Sequence, residues 1–243
     1  MKKCFLVFFI LLLGGSLRAG QGMRTTSVGS FRIQYEHGIS LHNAKLFGAL
    51  LDTSVAEMKK LLDLSFKGKI DVIMFTSVER FKQDSQTRIF DDGDWNAGKI
   101  YFFLNPGPVH EGRMQEVARR LAARVALSHE PGCPPWFAEA YSLSVGNDLE
   151  RFGKPARSMT SSFSDLGEDY VSSEGEKDDL ELYAKLASTI DFFNIHYGKS
   201  KVEDALRGFK TSDNIHEVFQ TAFQEKFEDI EKEWVKTLRS ETR

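Results

Sequence analysis

The chain of 243 residues is 41% hydrophobic and 28% charged with six prolines, which excludes a disordered or fibrous polypeptide and suits one globular unit or two small subdomains. Its 32 basic and 35 acidic residues leave a formal charge of -3, so nothing in the balance points to nucleic acid as a partner. A chain of this length, with 20 Phe, buries a large core without covalent staples.

Met1-Lys2-Lys3 precedes ten apolar residues, Cys4 to Leu13, and then Gly14-Gly15-Ser16-Leu17-Arg18-Ala19-Gly20. Basic, apolar and small-residue regions in that order read as a secretory signal peptide over residues 1–19. The apolar run is half of the roughly 20 residues that a membrane helix needs, so the expectation is a cleaved, exported chain, periplasmic or secreted, with no membrane span after cleavage. Losing Lys2, Lys3 and Arg18 leaves 29 basic against 35 acidic residues, and losing Cys4 leaves Cys133 with no intramolecular partner.

Along the mature chain, Phe31-Arg32-Ile33-Gln34-Tyr35 alternates as a half-buried strand does, and apolar residues from about Asn43 to Leu64 recur at helical spacing. Lys69 to Phe75 and Gly98 to Leu104 are rich in β-formers and read as two more strands. Asn105-Pro106-Gly107-Pro108 stops the last one. Residues 20–110 therefore read as an N-terminal α+β subdomain, a small mixed sheet with a helix. From Glu111 the pattern is helical, near 111–128, 136–146, 179–197, 200–209, 214–222 and 227–239, so residues 111–243 read as a mainly helical subdomain. Arg157 to Lys177, rich in Ser, Gly and charge, reads as a surface loop.

Within the first of those helices, Met114, Val117, Ala118, Leu121, Ala122 and Val125 are assigned to one apolar stripe, with Arg113, Arg120 and Arg124 opposite and Gln115 and Arg119 bordering it. An ordinary surface pair of Glu116 with Arg120, at i,i+4, is the plainest use of those charges.

Gln115-Glu116-Val117-Ala118-Arg119 on this helix, followed by Pro135-Trp136-Phe137-Ala138-Glu139-Ala140 on the next, resembles the peptidase MA-like group of gluzincin zinc metallopeptidases. Arg119 and Glu139 are separated by 19 residues. Asp94 to Tyr101, Tyr183 to Ser188 with His196-Tyr197-Gly198, Phe219 to Phe223 and Glu231 to Trp234 extend the resemblance along most of the chain. In that family HExxH supplies two zinc-binding histidines and a general-base glutamate, and a glutamate on a following helix supplies the third ligand. The resemblance implies a zincin-like α+β fold with a cleft between the subdomains. It places Glu116 at the base position, Gln115 and Arg119 at the histidine positions, Glu139 at the third-ligand position and Tyr183 where an oxyanion would be stabilised.

Gln115 and Arg119 depart from the pattern. A carboxamide is a poor zinc ligand, and a guanidinium has no lone pair and keeps its charge, so the resemblance carries over the fold without the hydrolytic centre, and no cofactor is expected. Arg119 is expected to reach Glu139 and neutralise it in place of zinc, as a bidentate pair. The leading functional expectation is an inactive peptidase relative that binds an extended peptide along an edge strand near Gly98 to Leu104, or an envelope protein. The alternative is an active zinc peptidase using Glu116, Glu139 and an unusual third ligand such as His129. A purely structural subunit of an envelope assembly is a third reading. Cys133, between Gly132 and Pro134, is read as structural rather than as a nucleophile paired with His129.

Overall fold

The computed structural model describes residues 22–63, 68–86, 92–105, 107, 110–152, 162–172 and 176–240. The export signal read in residues 1–19 lies outside them, and among the described residues no helix is long and apolar enough to cross a membrane.

Strands β1 (Met23–Val28), β2 (Phe31–Glu36), β3 (Ile70–Phe75), β4 (Gly93–Asn96) and β5 (Lys99–Phe103) form one mixed sheet in the order β1-β2-β3-β5-β4. The central pairs β2–β3 and β3–β5 are parallel, and the two outer pairs are antiparallel. Period-two alternation sorts the side chains between the faces. Ile33, Val72, Met74, Ile100 and Phe102 point into the main core, while Phe75 and Tyr101 make a small cluster on the other face with Phe81 of helix α2 (Val78–Ser85). Helix α1 (Leu41–Leu62) lies on the main-core face, where Phe47 stacks on Phe102 at 4.0 Å between centroids. Ser40 starts this helix by accepting the Asn43 amide on its hydroxyl, and Asp63 ends it in the left-handed region at φ 50°.

The sequence missed β1, α2 and β4, each short. The misplacement with the largest consequence concerns the edge. The strand anticipated as the free edge, Gly98 to Leu104, is internal as β5, paired with β3 and β4, and β4 forms the edge instead. A two-residue hairpin, Ala97 at φ 49° and Gly98 at φ 75°, folds β4 onto β5, and two consecutive positive φ values are the signature of the turn that matches strand twist.

The helices that follow are α3 (Glu111–Leu127), α4 (Pro135–Val145), α5 (Phe163–Ser172), α6 (Glu176–His196), α7 (Lys199–Gly208), α8 (Ile215–Phe223) and α9 (Phe227–Ser240), with a 3-10 turn at Leu149–Phe152. The chain is thus α+β, a small N-terminal mixed sheet followed by a mostly helical remainder. The expected apolar stripe of α3, Met114 to Val125, is buried in the same continuous core as Phe47, Leu51 and Val55 of α1. The hydrophobic core therefore runs across the boundary placed after residue 110.

Helix α5 occupies part of the stretch read as a loop; residues 157–161 and 173–175 of that stretch lie outside the described residues. Ser162 and Asp165 cap α5 reciprocally: each side chain accepts the other's amide, at 2.9 and 2.7 Å. Phe163 and Leu166 then bury completely, and Phe163 stacks on Trp136 and Trp234 at 5.5 and 4.9 Å. Two large apolar residues at i,i+3 fix this helix to the core although its composition is that of a loop.

Candidate functional site

Helices α3 and α4 carry the residues on which the resemblance rests, and the short Pro-rich connection between them sets which parts of α3 face α4. Pro134 and Pro135 open α4, whose N1 proline lacks only an amide that has no helical partner anyway. Glu139 leaves α4 toward α3 and is 4% exposed.

The residue that meets it is Arg124. Its Nη2 donates to Glu139 Oε1 and, at 3.1 Å, to the Tyr183 hydroxyl from α6, while Nη1 donates to Asp94 Oδ1 of β4 at 2.9 Å. One guanidinium thus ties together β4, α3, α4 and α6. Burial opposes its charge, but the charge of Glu139, supported by Tyr183 and Asp94, outweighs that effect and holds Arg124 well above its ordinary value.

This corrects the expected Arg119–Glu139 pair. Arg119 and Gln115 are exposed. At about 100° per residue they fall opposite Val117, whereas Arg120 and Arg124 fall within about 60° of it. The three arginines assigned to the far side of α3 are therefore beside its buried stripe, and Arg120 is fully buried. The surface pair of Glu116 with Arg120 does not form either. Arg120 Nη1 donates to Asp148 Oδ2 at 2.8 Å and Nη2 to the Gly93 carbonyl at 3.2 Å. Glu116 accepts instead from Arg113 at 3.3 Å and Asn147 at 3.4 Å, two turns before Arg124 and away from Glu139.

Of the five residues singled out from the sequence, the fold brings together Glu139 and Tyr183 and leaves Gln115, Glu116 and Arg119 elsewhere. Arg120, Arg124, Asp94 and Asp148 were missed as site residues. A signal for the first two was present: Arg120 and Arg124 are one helical turn apart, with 14 residues between Arg124 and Glu139.

A cavity of about 770 Å³ opens in front of this cluster, lined by Asp94 and Trp95 from β4, Arg124 and Leu127 from α3, Glu139 from α4, and Tyr170, Asp179 and Tyr183 from α5 and α6. The donor set does not suit zinc, because among the described residues Asp94 and Glu139 are bridged by a guanidinium that already bonds both. Among the described residues no three His, Cys, Asp or Glu side chains are grouped to hold a metal ion. His129, the third ligand of the alternative reading, shares its Nδ1 with the Val125 carbonyl at 2.8 Å, and Glu116 lies 13 residues before it, about 20 Å along a helix.

The outer edge of β4, at the lip of the cavity, is partly closed. The Phe103 amide donates to the Asp92 carbonyl, so in the alternating ladder Gly93 and Trp95 turn their backbone groups away from β5. Of those groups, the Gly93 carbonyl already accepts from Arg120 and the Trp95 amide donates to Asp94 Oδ1. A Cβ at Gly93 would also come within 2.8 Å of Leu121 and Val117. Strand addition, the expected mode of peptide binding, has little free backbone here.

Cys133 lines the cavity but is 7% exposed, and burial pushes its thiol up to about 12. A thiol held protonated is a poor nucleophile. Native protein at pH 8 is therefore expected to resist a thiol-reactive dye and to react fully once unfolded in guanidinium; rapid labelling of the folded chain would contradict this environment.

Comparison with protein-family models gives no match, and comparison with curated proteins gives none either.

Proposed function

We propose that this chain is an exported, catalytically inactive relative of the peptidase MA-like gluzincins, in which an arginine replaces the metal and the surrounding cavity serves as a ligand site. The observation that carries the reading is the Arg124 guanidinium, one helical turn after Arg120, lodged against a glutamate from the next helix. In this reading the degenerate motif is Arg120-Leu121-Ala122-Ala123-Arg124, five residues beyond the stretch first compared with it. Both histidine positions are then arginines and the general-base position is Leu121. At the motif positions such a site has no imidazole to hold a metal that would polarise a carbonyl, and Leu121 in place of the glutamate that would activate water. The edge strand β4 beside the cavity, antiparallel to its neighbour, and the tyrosine from α6 agree with a zincin-like arrangement. The basic and apolar pattern of residues 1–19 supports export to the periplasm or beyond.

The test has two arms. Protein purified without chelators is expected to carry far less than one zinc per chain and to leave extended peptides intact. Replacing Arg120→His and Arg124→His together is expected to create a zinc site with Glu139, because two imidazoles one turn apart and one carboxylate make a zinc donor set. Stoichiometric zinc in the native protein with chelator-sensitive peptide cleavage would refute inactivity. A folded double variant that takes up no zinc would refute the correspondence with the family.

A further inference from the structure

The two edges of the sheet differ in what they leave free. At β4 the Gly93 carbonyl and the Trp95 amide are already bonded, whereas the outward backbone of β1 is open. The Ile70 amide donates to the Ser30 carbonyl at 2.9 Å, so the even-numbered residues of β2 turn their backbone groups to β3 and the odd-numbered ones to β1. Phe31, Ile33 and Tyr35 therefore bond Val28, Thr26 and Arg24, and the N–H and C=O groups of Met23, Thr25 and Ser27 face outward from the edge. Among the described residues no hydrogen bond reaches those groups, and Thr25 and Ser27 are exposed.

The devices that protect an edge are missing from β1. It has no proline and no lysine, its register with β2 runs unbroken from Met23–Glu36 to Val28–Phe31, and its one charged side chain, Arg24, donates to His37 at 3.1 Å. Such a strand is a template for another. The short side chains of Thr25, Thr26 and Ser27 give little relief for selecting a peptide by its sequence, and a free peptide would lose entropy on becoming a strand that β1, held by β2, does not. Two copies of β1 meeting antiparallel about Thr25 satisfy every open group. Thr25 then faces Thr25, and Met23 of each copy faces Ser27 of the other, each pair exchanging both bonds. Arg24 falls opposite Thr26, so no like charges face each other. An apolar side chain stands beside this edge as well. A Cβ at Gly48 of α1 would come within 3.0 Å of Val28, and Leu41, two turns earlier on the same side of α1, is 46% exposed.

We propose that β1 pairs with β1 of a second copy of this chain, antiparallel and centred on Thr25, so that one sheet runs through a two-fold dimer. The interface is a ladder of six residues a side with a small apolar contribution, so the dimer is weak and forms with rising concentration. It lies at the opposite edge of the sheet from β4 and the cavity, and it does not depend on how the cavity is read.

Sedimentation equilibrium of the mature chain over a concentration series is expected to give a reversible monomer–dimer equilibrium. Thr25→Pro removes an outward amide from each copy while leaving the bonds to β2 in place, and is expected to weaken dimerisation about tenfold or more. Should that variant fail to fold, Thr25→Lys and Thr25→Glu, at an exposed position, carry the test. Each sets like charges face to face in the dimer and leaves the monomer unaltered, so each alone is expected to dimerise severalfold more weakly. An equimolar mixture of the two is expected to recover the loss as a heterodimer, which only a pairing of Thr25 with its own copy explains. A monomer at every concentration up to about 1 mM, a dimer unchanged in the charged variants, or a mixture no tighter than either variant alone would overturn the proposal. A chain that stays monomeric yet binds an extended peptide along β1 would overturn it equally.

Discussion

Replacing Arg124→Ala is expected to destabilise the fold by about 3–5 kcal/mol, the cost of breaking a buried ion pair from one side. The guanidinium is the shared partner of Glu139 at 4% and Asp94 at 15% side-chain exposure, and its removal leaves both carboxylates in place with little water to solvate them. For a chain of this size that corresponds to a fall in Tm of roughly 6–20 °C. Arg124→Lys keeps the charge but not the fork that reaches Asp94 and Glu139 with different nitrogens, so an intermediate loss is expected. Arg119→Ala, on the exposed side of the same helix, is the internal control and is expected to stay within about 0.5 kcal/mol of the parent. Thermal or urea unfolding of the three variants decides it. If Arg119→Ala cost as much as Arg124→Ala, α3 would be rotated from the orientation described here.

The contrast between those two arginines shows where reading the sequence stops. Helices with a broad apolar stripe, such as α1 and α3, are visible from spacing alone, because burial of one face is written as a local repeat. The β2 strand is visible for the same reason, and β3 and β5 through their runs of β-forming residues. Helix α5 is not: Ser162, Ser164, Asp165 and Gly167 give it the composition of a loop, and its two anchoring residues matter only because Trp136 and Trp234, far along the chain, are there to receive Phe163. Strand β4 has four residues, too few to display a period.

Arg120 and Arg124 fail for a different reason. A charged side chain is assigned to solvent by default, since burying one without a partner is prohibitive. The partners exist, but they are Asp148, Asp94 and Glu139, which come from other elements and are invisible to any local window. Helical geometry already placed both arginines beside Val117, so the angular arithmetic carried the information and the residue type concealed it. The family resemblance drew attention to α3, α4 and Glu139, while its alignment on α3 was set by Glu116, a residue that pairs with Arg113 and Asn147 instead.

That network supplies the other large expected effect. Asp148, 1% exposed and just beyond α4, accepts from Arg113 Nη1 at 2.6 Å and from Arg120 Nη1 at 2.8 Å. Arg113 also donates to Asp92 at 2.7 Å, immediately before β4, and Arg120 to the Gly93 carbonyl within it. Asp148 therefore joins the end of α4 to the whole first half of α3 and to the edge strand. Its two neighbours differ in exposure: Arg113 is 30% exposed and can be rehydrated, whereas Arg120 has no contact with water. Asp148→Ala is expected to cost about 3–5 kcal/mol because it withdraws a carboxylate from that sealed guanidinium. Arg120→Met is expected to cost less, since Asp148 keeps Arg113 and the methionine fills most of the vacated space. Combining Arg120→Met with Asp148→Leu is then expected to recover part of the Asp148→Ala loss, because an apolar pair removes the buried charge from both sides at once. Urea unfolding of Arg120→Met, of Asp148→Leu and of the two combined measures this coupling. A double variant whose loss equals the sum of its parts would mean that Arg120 and Asp148 do not interact, and that the edge strand is held by packing alone.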